Sequence, residues 1–417
     1  MQADATAARG DTRYLVASAA AILVVTMGAR QALGLFVAPI NKATGLGIVA
    51  ISLAMAIGQF VWGLAQPIFG VVADRFGSRV VLIGGALTLA AGAVLTTSVS
   101  SELGLILTIG VLFATGAAAG SFSVLIGATA RRLAPEKRAF ASGVINAGGS
   151  LGQFLLAPIS QFFISGFGWV VAMYALAAAA LATIPLSGPL LRSPPAEAAA
   201  GAAGTTPAGA KPLRAQLRAA ARDRSYWCLH LGFFTCGFHI AFLVTHLPGE
   251  VNLCALPASV AAGSLAIIGL SNVAGSLGIG WLGGVFRMKW LLFLVYFTRA
   301  AAIGVYLLMP RTPLTFYVFA AVLGLTWLST VPPTAGLVGK LFGVRYLATL
   351  FGLTLFSHQI GGFFGAWLGG LALVRFGDYG WMWYADMSLA LFAAFINLPI
   401  REAPVVPLTV KPLASSP

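Results

Sequence analysis

Residues 70–79 read GVVADRFGSR, a short basic stretch between two long apolar runs. Residues 280–289 read GWLGGVFRMK, again between two apolar runs, at an offset of 210. A second pair, SGVINAGGSLGQFLLAPISQ (142–161) and FGLTLFSHQIGGFFGAWLGG (351–370), repeats at an offset of 209. Both members of each pair occupy equivalent places in their half of the chain. The sequence is two copies of one unit, and parallel repeats of this kind put a shared site at the interface between them.

The unit is a set of membrane-spanning helices. Of 417 residues, 59% are apolar and 9% charged, too few charges for a water-exposed surface of this size. A spanning helix needs about 20 apolar residues. Twelve such runs are found, near 14–40, 49–71, 80–98, 103–130, 139–166, 168–189, 226–249, 258–283, 289–309, 313–338, 346–373 and 380–400. They lack the alternation of barrel strands, and lipid offers backbone groups no partners, so helices are expected. Of 25 Lys and Arg, 20 fall in the two termini and every second loop, whereas the opposite loops hold only Lys42, Arg311 and Arg375. Positive residues stay cytoplasmic, which puts both termini inside. The net charge of +14 is thereby a topology signal and gives no reason to invoke nucleic acid.

One segment differs from the rest. Residues 192–224 begin rich in Pro, Gly, Ala and Thr, as a flexible linker would, and end with Arg214, Arg218 and Arg222 four apart. That second part reads either as a short amphipathic helix on the anionic inner leaflet or as a solvated connector. The expected organisation is an all-α membrane protein: an N-terminal six-helix bundle (1–190), a cytoplasmic linker (191–225) and a C-terminal six-helix bundle (226–417). No cleavable signal peptide is evident, because the first run is too long. Cys228, Cys236 and Cys254 are odd in number and do not form a disulfide framework. There is no P-loop and no acidic pair at hydrolytic spacing, so an enzyme is not expected, nor a cofactor.

GVVADRFGSR resembles the Gly-x-x-x-Asp-Arg-x-Gly-x-Arg signature of the major facilitator superfamily, in its place between the second and third helices. The resemblance covers the whole chain. It implies a monomeric secondary transporter in the cell membrane, here a bacterial inner membrane, that alternates access and has a conformational switch at Gly70, Asp74, Arg75, Gly77 and Arg79. Asp74 would engage the N-terminal end of the eleventh helix, where a carboxylate is favourable by roughly 0.3–1 kcal/mol when exposed. The second copy carries Gly284 at that place, so the latch is one-sided.

Charges and polar groups at membrane depth carry the functional reading. A central Arg costs from about 2.5 to over 10 kcal/mol and is functional by default. Arg30, in the first run, has no Asp or Glu near the middle of the first six helices to pair with. It calls for an anionic guest, or else hydrogen-bonds Gln59, Gln66 or backbone carbonyls. Arg299, equally deep in the ninth run, has Asp386 as its acidic candidate for a structural charge pair. His358, beside Gln359 in the eleventh run, faces Arg30 across the midplane or ties two helices together; it and His239 are the candidates for proton coupling. Cys236 and His239 share a helical face and make half a metal site, too few ligands to assign one. Asn146 and Asn272 offer neutral hydrogen bonds to a ligand or between helices. Pro332-Pro333 should bend the tenth helix.

Within the superfamily the chain looks most like the oxalate–formate exchangers and monocarboxylate transporters. MGARQALGLFVAPI (27–40) resembles their first helix, Arg30 falling near a lysine of the monocarboxylate carriers, and His358 falls where the oxalate–formate exchangers carry a lysine. Ser276 stands where both groups use an arginine, and one fixed cation fewer argues against a dianion. The expected cargo is a small organic anion of monocarboxylate type bound among Arg30, Gln59, Asn146, His239, Asn272, His358 and Gln359, with proton coupling. Two alternatives remain: drug or neutral-metabolite export by proton antiport, and metal import through Cys236, His239 and His246. From the one-sided latch, Asp74→Asn is expected to slow transport while expression and monodispersity stay at wild-type levels; unchanged uptake rates would refute the latch.

Overall fold

The computed structural model describes residues 2–130, 133, 135–191, 213–343 and 347–403, with their side chains except those of residues 2–12, 71, 74, 75, 123, 127, 130, 135–140, 142, 191, 347 and 348. The chain is all helix. Ten segments among the described residues are long and apolar enough to cross a membrane: α1 (Arg13–Thr44), α2 (Ile48–Gly70), α3 (Ser78–Thr96), α4 (Glu102–Ile126), α5 (Gly143–Phe167), α6 (Trp169–Leu186), α7 (Arg224–Leu253), α8 (Ala258–Leu282), α9 (Met288–Leu308) and α10 (Pro313–Phe342). Helices α11 (Leu347–Phe376) and α12 (Gly380–Ile396) follow. At 17 residues, α12 spans only about 25 Å, less than a typical hydrocarbon core of about 30 Å. The expectation of twelve full-length runs is met by ten, plus these two helices.

Local chemistry sets the ends. The Asp223 side chain accepts from the Tyr226 amide to start α7, Ser101 accepts from Gly104 to start α4, and Thr312 accepts from Thr315, with Pro313 in the first turn, to start α10. Helix α2 continues to Phe76, and Gly77 turns the chain into α3 at φ +84°, a conformation a side chain would strain.

The packing repeats with the sequence. α1 lies on α5 as α7 lies on α11; α3 lies on α6 as α9 lies on α12. Across the seam α2 meets α11 and α5 meets α8, again equivalent pairs. Glycines make the closest crossings. Gly28 of α1 touches the Gly152 backbone of α5, and Gly361 of α11 touches the Phe234 backbone of α7 beside Gly237, which meets the His358 backbone. Gly237 and Gly361 each lie 209 positions after Gly28 and Gly152. At the seam, Gly34 of α1 abuts the Val244 carbonyl of α7, and Gly370 of α11 abuts Ser52 of α2. These two contacts lie toward the end that carries Lys42.

Two helices are broken, at matching places. α4 is interrupted at Gly120–Ser121, where the Thr26 hydroxyl of α1 donates to the Gly120 carbonyl at 2.8 Å. α10 is interrupted between Thr326 and Val331, just before Pro332-Pro333. A proline there cannot donate to the preceding turn, so the bend expected from sequence is a break of a full turn.

Backbone crossings without room for a methyl make a direct test. Gly237→Ala should cost about 1–3 kcal/mol and lower the thermal unfolding midpoint in detergent. Gly278→Ala, at a position with open space around it, should leave the midpoint unchanged.

Candidate functional site

Arg30 lies where the regular part of α1 gives way to a tighter turn at Leu33–Phe36. Its guanidinium donates to the Gln59 side-chain oxygen and lies over the Trp62 ring, 4.2 Å from the centroid. Gln59 and Trp62 are three apart on α2 and present one face to it. Trp62 is buried, and its indole N–H has no partner among the described residues. The neighbouring Gln31 donates to Gln153 of α5 at 2.9 Å. Arg30 has no carboxylate within ion-pair distance among the described residues. A small cavity of about 20 Å³, room for roughly one water, is bounded by Arg30, Gln59, Met55, Phe113, Val244 and Thr245, so both halves line it.

The second half brings His358 and Gln359. The Gln359 amide lies 3.2 Å from His358 Nδ1, its side chain rests against Gly63 of α2, and its Oε1 has no partner among the described residues. Helix α2 could not meet α11 here with any side chain at position 63. The His358 ring lies tilted against Phe233, centroids 5.1 Å apart, and within electrostatic range of Arg30. Arg30, Gln59, Trp62, His358 and Gln359 therefore converge on the seam at one level. Gln66, the other glutamine considered for Arg30, is buried about two helical turns beyond Gln59 along α2.

Other residues named from sequence lie elsewhere. Asn272 is held at both ends of its amide: it donates to Ser150 of α5 at 2.8 Å and accepts from Ser276 at 3.1 Å and from the Leu328 amide at 2.9 Å. Its oxygen is filled by these two donors, and the Ser276 hydroxyl is spent on it. Asn146 is half-buried on α5, one turn before Ser150. The expected Arg299–Asp386 pair is not formed. Arg299 donates to the carbonyls of Thr326 (2.6 Å) and Trp327 (3.1 Å), two acceptors released by the α10 break. A cation at the end of the first half of α10 also meets the negative end of its dipole. Asp386 instead accepts from His239 Nδ1 at 2.5 Å, and both side chains are 1% exposed. His239 thus faces α12 and not the cavity, which removes it from the substrate site expected from sequence.

The proposed metal ligands also diverge. Cys236 lies 3.4 Å from the Thr330 hydroxyl, His239 is held by Asp386, and His246 donates to the Ala366 carbonyl of α11 at 2.7 Å. At the 70–79 motif, Gly70 is half-buried and Arg79 exposed, while the side chains of Asp74 and Arg75 lie outside the described residues, as does the first part of the linker. Its second part forms a helix, Leu213–Ala221, whose Gln216 donates to the Phe342 carbonyl at the end of α10.

Sequence reasoning missed Trp62 and the double role of the α10 break. Trp62 was legible as an aromatic one turn from Gln59. The freed backbone groups at 326–328 could be inferred from Pro332-Pro333, but their partners could not.

The Major Facilitator Superfamily model matches residues 19–366. Monocarboxylate transporter 11 of Mus musculus is 28% identical over 362 residues, 84% of this chain and 78% of that protein. The oxalate:formate antiporter of Oxalobacter formigenes is 27% identical over 155 residues, 36% of this chain and 35% of that protein. Among solved structures, a bacterial homolog of the human lysosomal transporter Spinster, in an inward-facing and unoccupied conformation, superposes with a TM-score of 0.69 at 16% identity, covering 93% of both chains.

Asn272→Leu leaves the Leu328 amide and the Ser150 hydroxyl unpaired. It should cost about 1–3 kcal/mol, seen as a lower unfolding midpoint, whereas Asn146→Leu should not.

Proposed function

Because this chain belongs to the Major Facilitator Superfamily it is a secondary transporter, and we propose that its cargo is a small organic monoanion bound at Arg30. The observation that carries the reading is the company Arg30 keeps. At membrane depth a guanidinium needs compensation, and Gln59 and the Trp62 face supply only a neutral hydrogen bond and a cation–π contact worth about 0.5–2 kcal/mol. A carboxylate arriving in the seam would complete the site with paired, charge-assisted hydrogen bonds. The Trp62 N–H adds a further donor beside it.

One cation with no second arginine suits one negative charge. Ser276, bonded to Asn272, adds none. His358 and Gln359 would contact the same guest from the opposite half. The names of the relatives, monocarboxylate transporter and oxalate:formate antiporter, support this class of cargo. For transport, residues 1–190 and 226–417 act as two six-helix bundles, joined by a cytoplasmic linker and rocking about the seam, with twelve crossings and both termini inside. Contacts toward the Lys42 end hold the outer side shut, so this state faces the cytoplasm. The protein works as a monomer in a cell membrane and couples uptake to protons.

Uptake of radiolabelled L-lactate and formate into proteoliposomes tests the reading. Arg30→Ala should abolish it, and Arg30→Lys should retain a fraction, because a point charge replaces a planar fork. Wild-type uptake in Arg30→Ala would overturn the proposal.

A further inference from the structure

The buried pair His239–Asp386 is not used by the anion site, and its surroundings are unusual. Both side chains are sealed in the second half, and the contact between His239 Nδ1 and Asp386 Oδ2 is 2.5 Å. With Nδ1 committed to the carboxylate, the free lone pair of the ring is at Nε2, and this atom has no partner among the described residues. Two further nitrogens of the same cluster, Arg299 Nε and Trp327 Nε1, are also unpartnered. An unpaired buried polar atom costs about 1–3 kcal/mol, so three together in a membrane helix bundle call for a reason.

We infer that His239 and Asp386 form a buried proton-binding site, apart from the Arg30 cavity, whose loading acts on the α10 break. This rests on the proton coupling proposed above and, of the two candidates His358 and His239, assigns it to His239 with Asp386 as its partner. The proton is taken up at His239 Nε2. The neutral imidazole becomes an imidazolium whose Nδ1–H stays on the Asp386 carboxylate, and release of the Nε2 proton restores the neutral ring. No bond other than N–H is made or broken.

The neighbours make the step reversible and consequential. Arg299 and Tyr296 of α9, Cys236 of α7 itself, and His358 of α11, which is also within range of Arg299, are the titratable and charged groups around the pair among the described residues; α10 brings Trp327 and Thr330, and α8 the neutral Asn272. Unloaded, the cluster carries one cation, Arg299 on its two carbonyls, and one carboxylate, Asp386 on His239. Loaded, it gains a second cation close to Arg299, which opposes permanent protonation. Trp327 ties that charge to the backbone, since its ring lies edge-on to His239 at 5.7 Å and its carbonyl holds Arg299. The next amide, Leu328, is held by Asn272, which also donates to Ser150 across the seam. A repulsion between His239 and Arg299 would therefore be felt at the α10 break and passed to the contact between the halves. Every link after that repulsion is a hydrogen bond or a chain neighbour.

Infrared difference spectra of the full chain in liposomes, taken between alkaline and acidic medium, test the site without any cargo. Wild type, His358→Gln and Arg30→Ala should show an imidazole change that His239→Gln and Asp386→Asn lack. L-lactate then tests the coupling: a one-unit pH gradient drives accumulation of about tenfold by one-proton symport. Asp386→Asn should lose this accumulation over protein-free vesicles while keeping lactate–lactate exchange at equal pH. The inference is overturned if the spectral change persists in both pair variants or vanishes in His358→Gln. It is overturned equally if Asp386→Asn accumulates lactate like wild type, or loses exchange together with accumulation, since the pair would then only hold the bundle. If wild type carries no lactate, the cargo reading fails and the spectra alone decide the proton site.

Discussion

Hydrocarbon solvates nothing polar, so every charge and every freed backbone group at membrane depth needs a partner within the protein. This constraint explains most of what is specific about the chain. The helix breaks are the clearest case. Opening α10 between Thr326 and Val331 releases carbonyls and an amide in the bundle interior, and Arg299 takes the former while Asn272 takes the latter. The break in α4 has its own partner in Thr26. Side chains that look like ligand groups in a list of polar residues are here the replacement for lost helix bonds.

Arg30 meets the same constraint only in part. Its two contacts are neutral, and they lie at the level where Gln359 packs on Gly63, at the junction of the halves. Arg299 and Arg30 thus differ despite similar depth: one is held by carbonyls that the fold frees for it, and the other meets only a neutral side-chain oxygen and a ring face. The distinction lies in azimuth, since α9 turns Arg299 inward toward α10, while α1 turns Arg30 toward the seam.

Much of this was legible in sequence. The apolar runs, the repeat at 209–210 and the motif at 70–79 lead to the fold, because hydrophobic length and internal duplication survive without knowledge of contacts. Gly28 and Gly237 mark equivalent crossings for the same reason. Depth in the membrane was also readable, which singled out Arg30, Arg299, His239 and Asp386. What could not be read was pairing. Arg299 and Asp386 are of opposite sign and similar setting, yet the carbonyls that hold Arg299 exist only because the helix breaks, and the carboxylate is left to His239. The partners of Asn272 were hidden for a similar reason: besides Ser150 of α5 and Ser276 of its own helix, it holds a Leu328 amide that an intact α10 would not offer.

The central claim is that an unmatched guanidinium at the seam selects a carboxylate. The most direct measurement is the thermal unfolding midpoint of the purified protein in the presence of L-lactate or its uncharged isostere lactamide, at equal concentrations and ionic strength. Stabilisation grows with the logarithm of concentration over dissociation constant, so even a weak ligand is visible. The midpoint should rise with lactate and stay flat with lactamide. Equal shifts with both, or no shift with lactate or any other small monocarboxylate, would contradict the account.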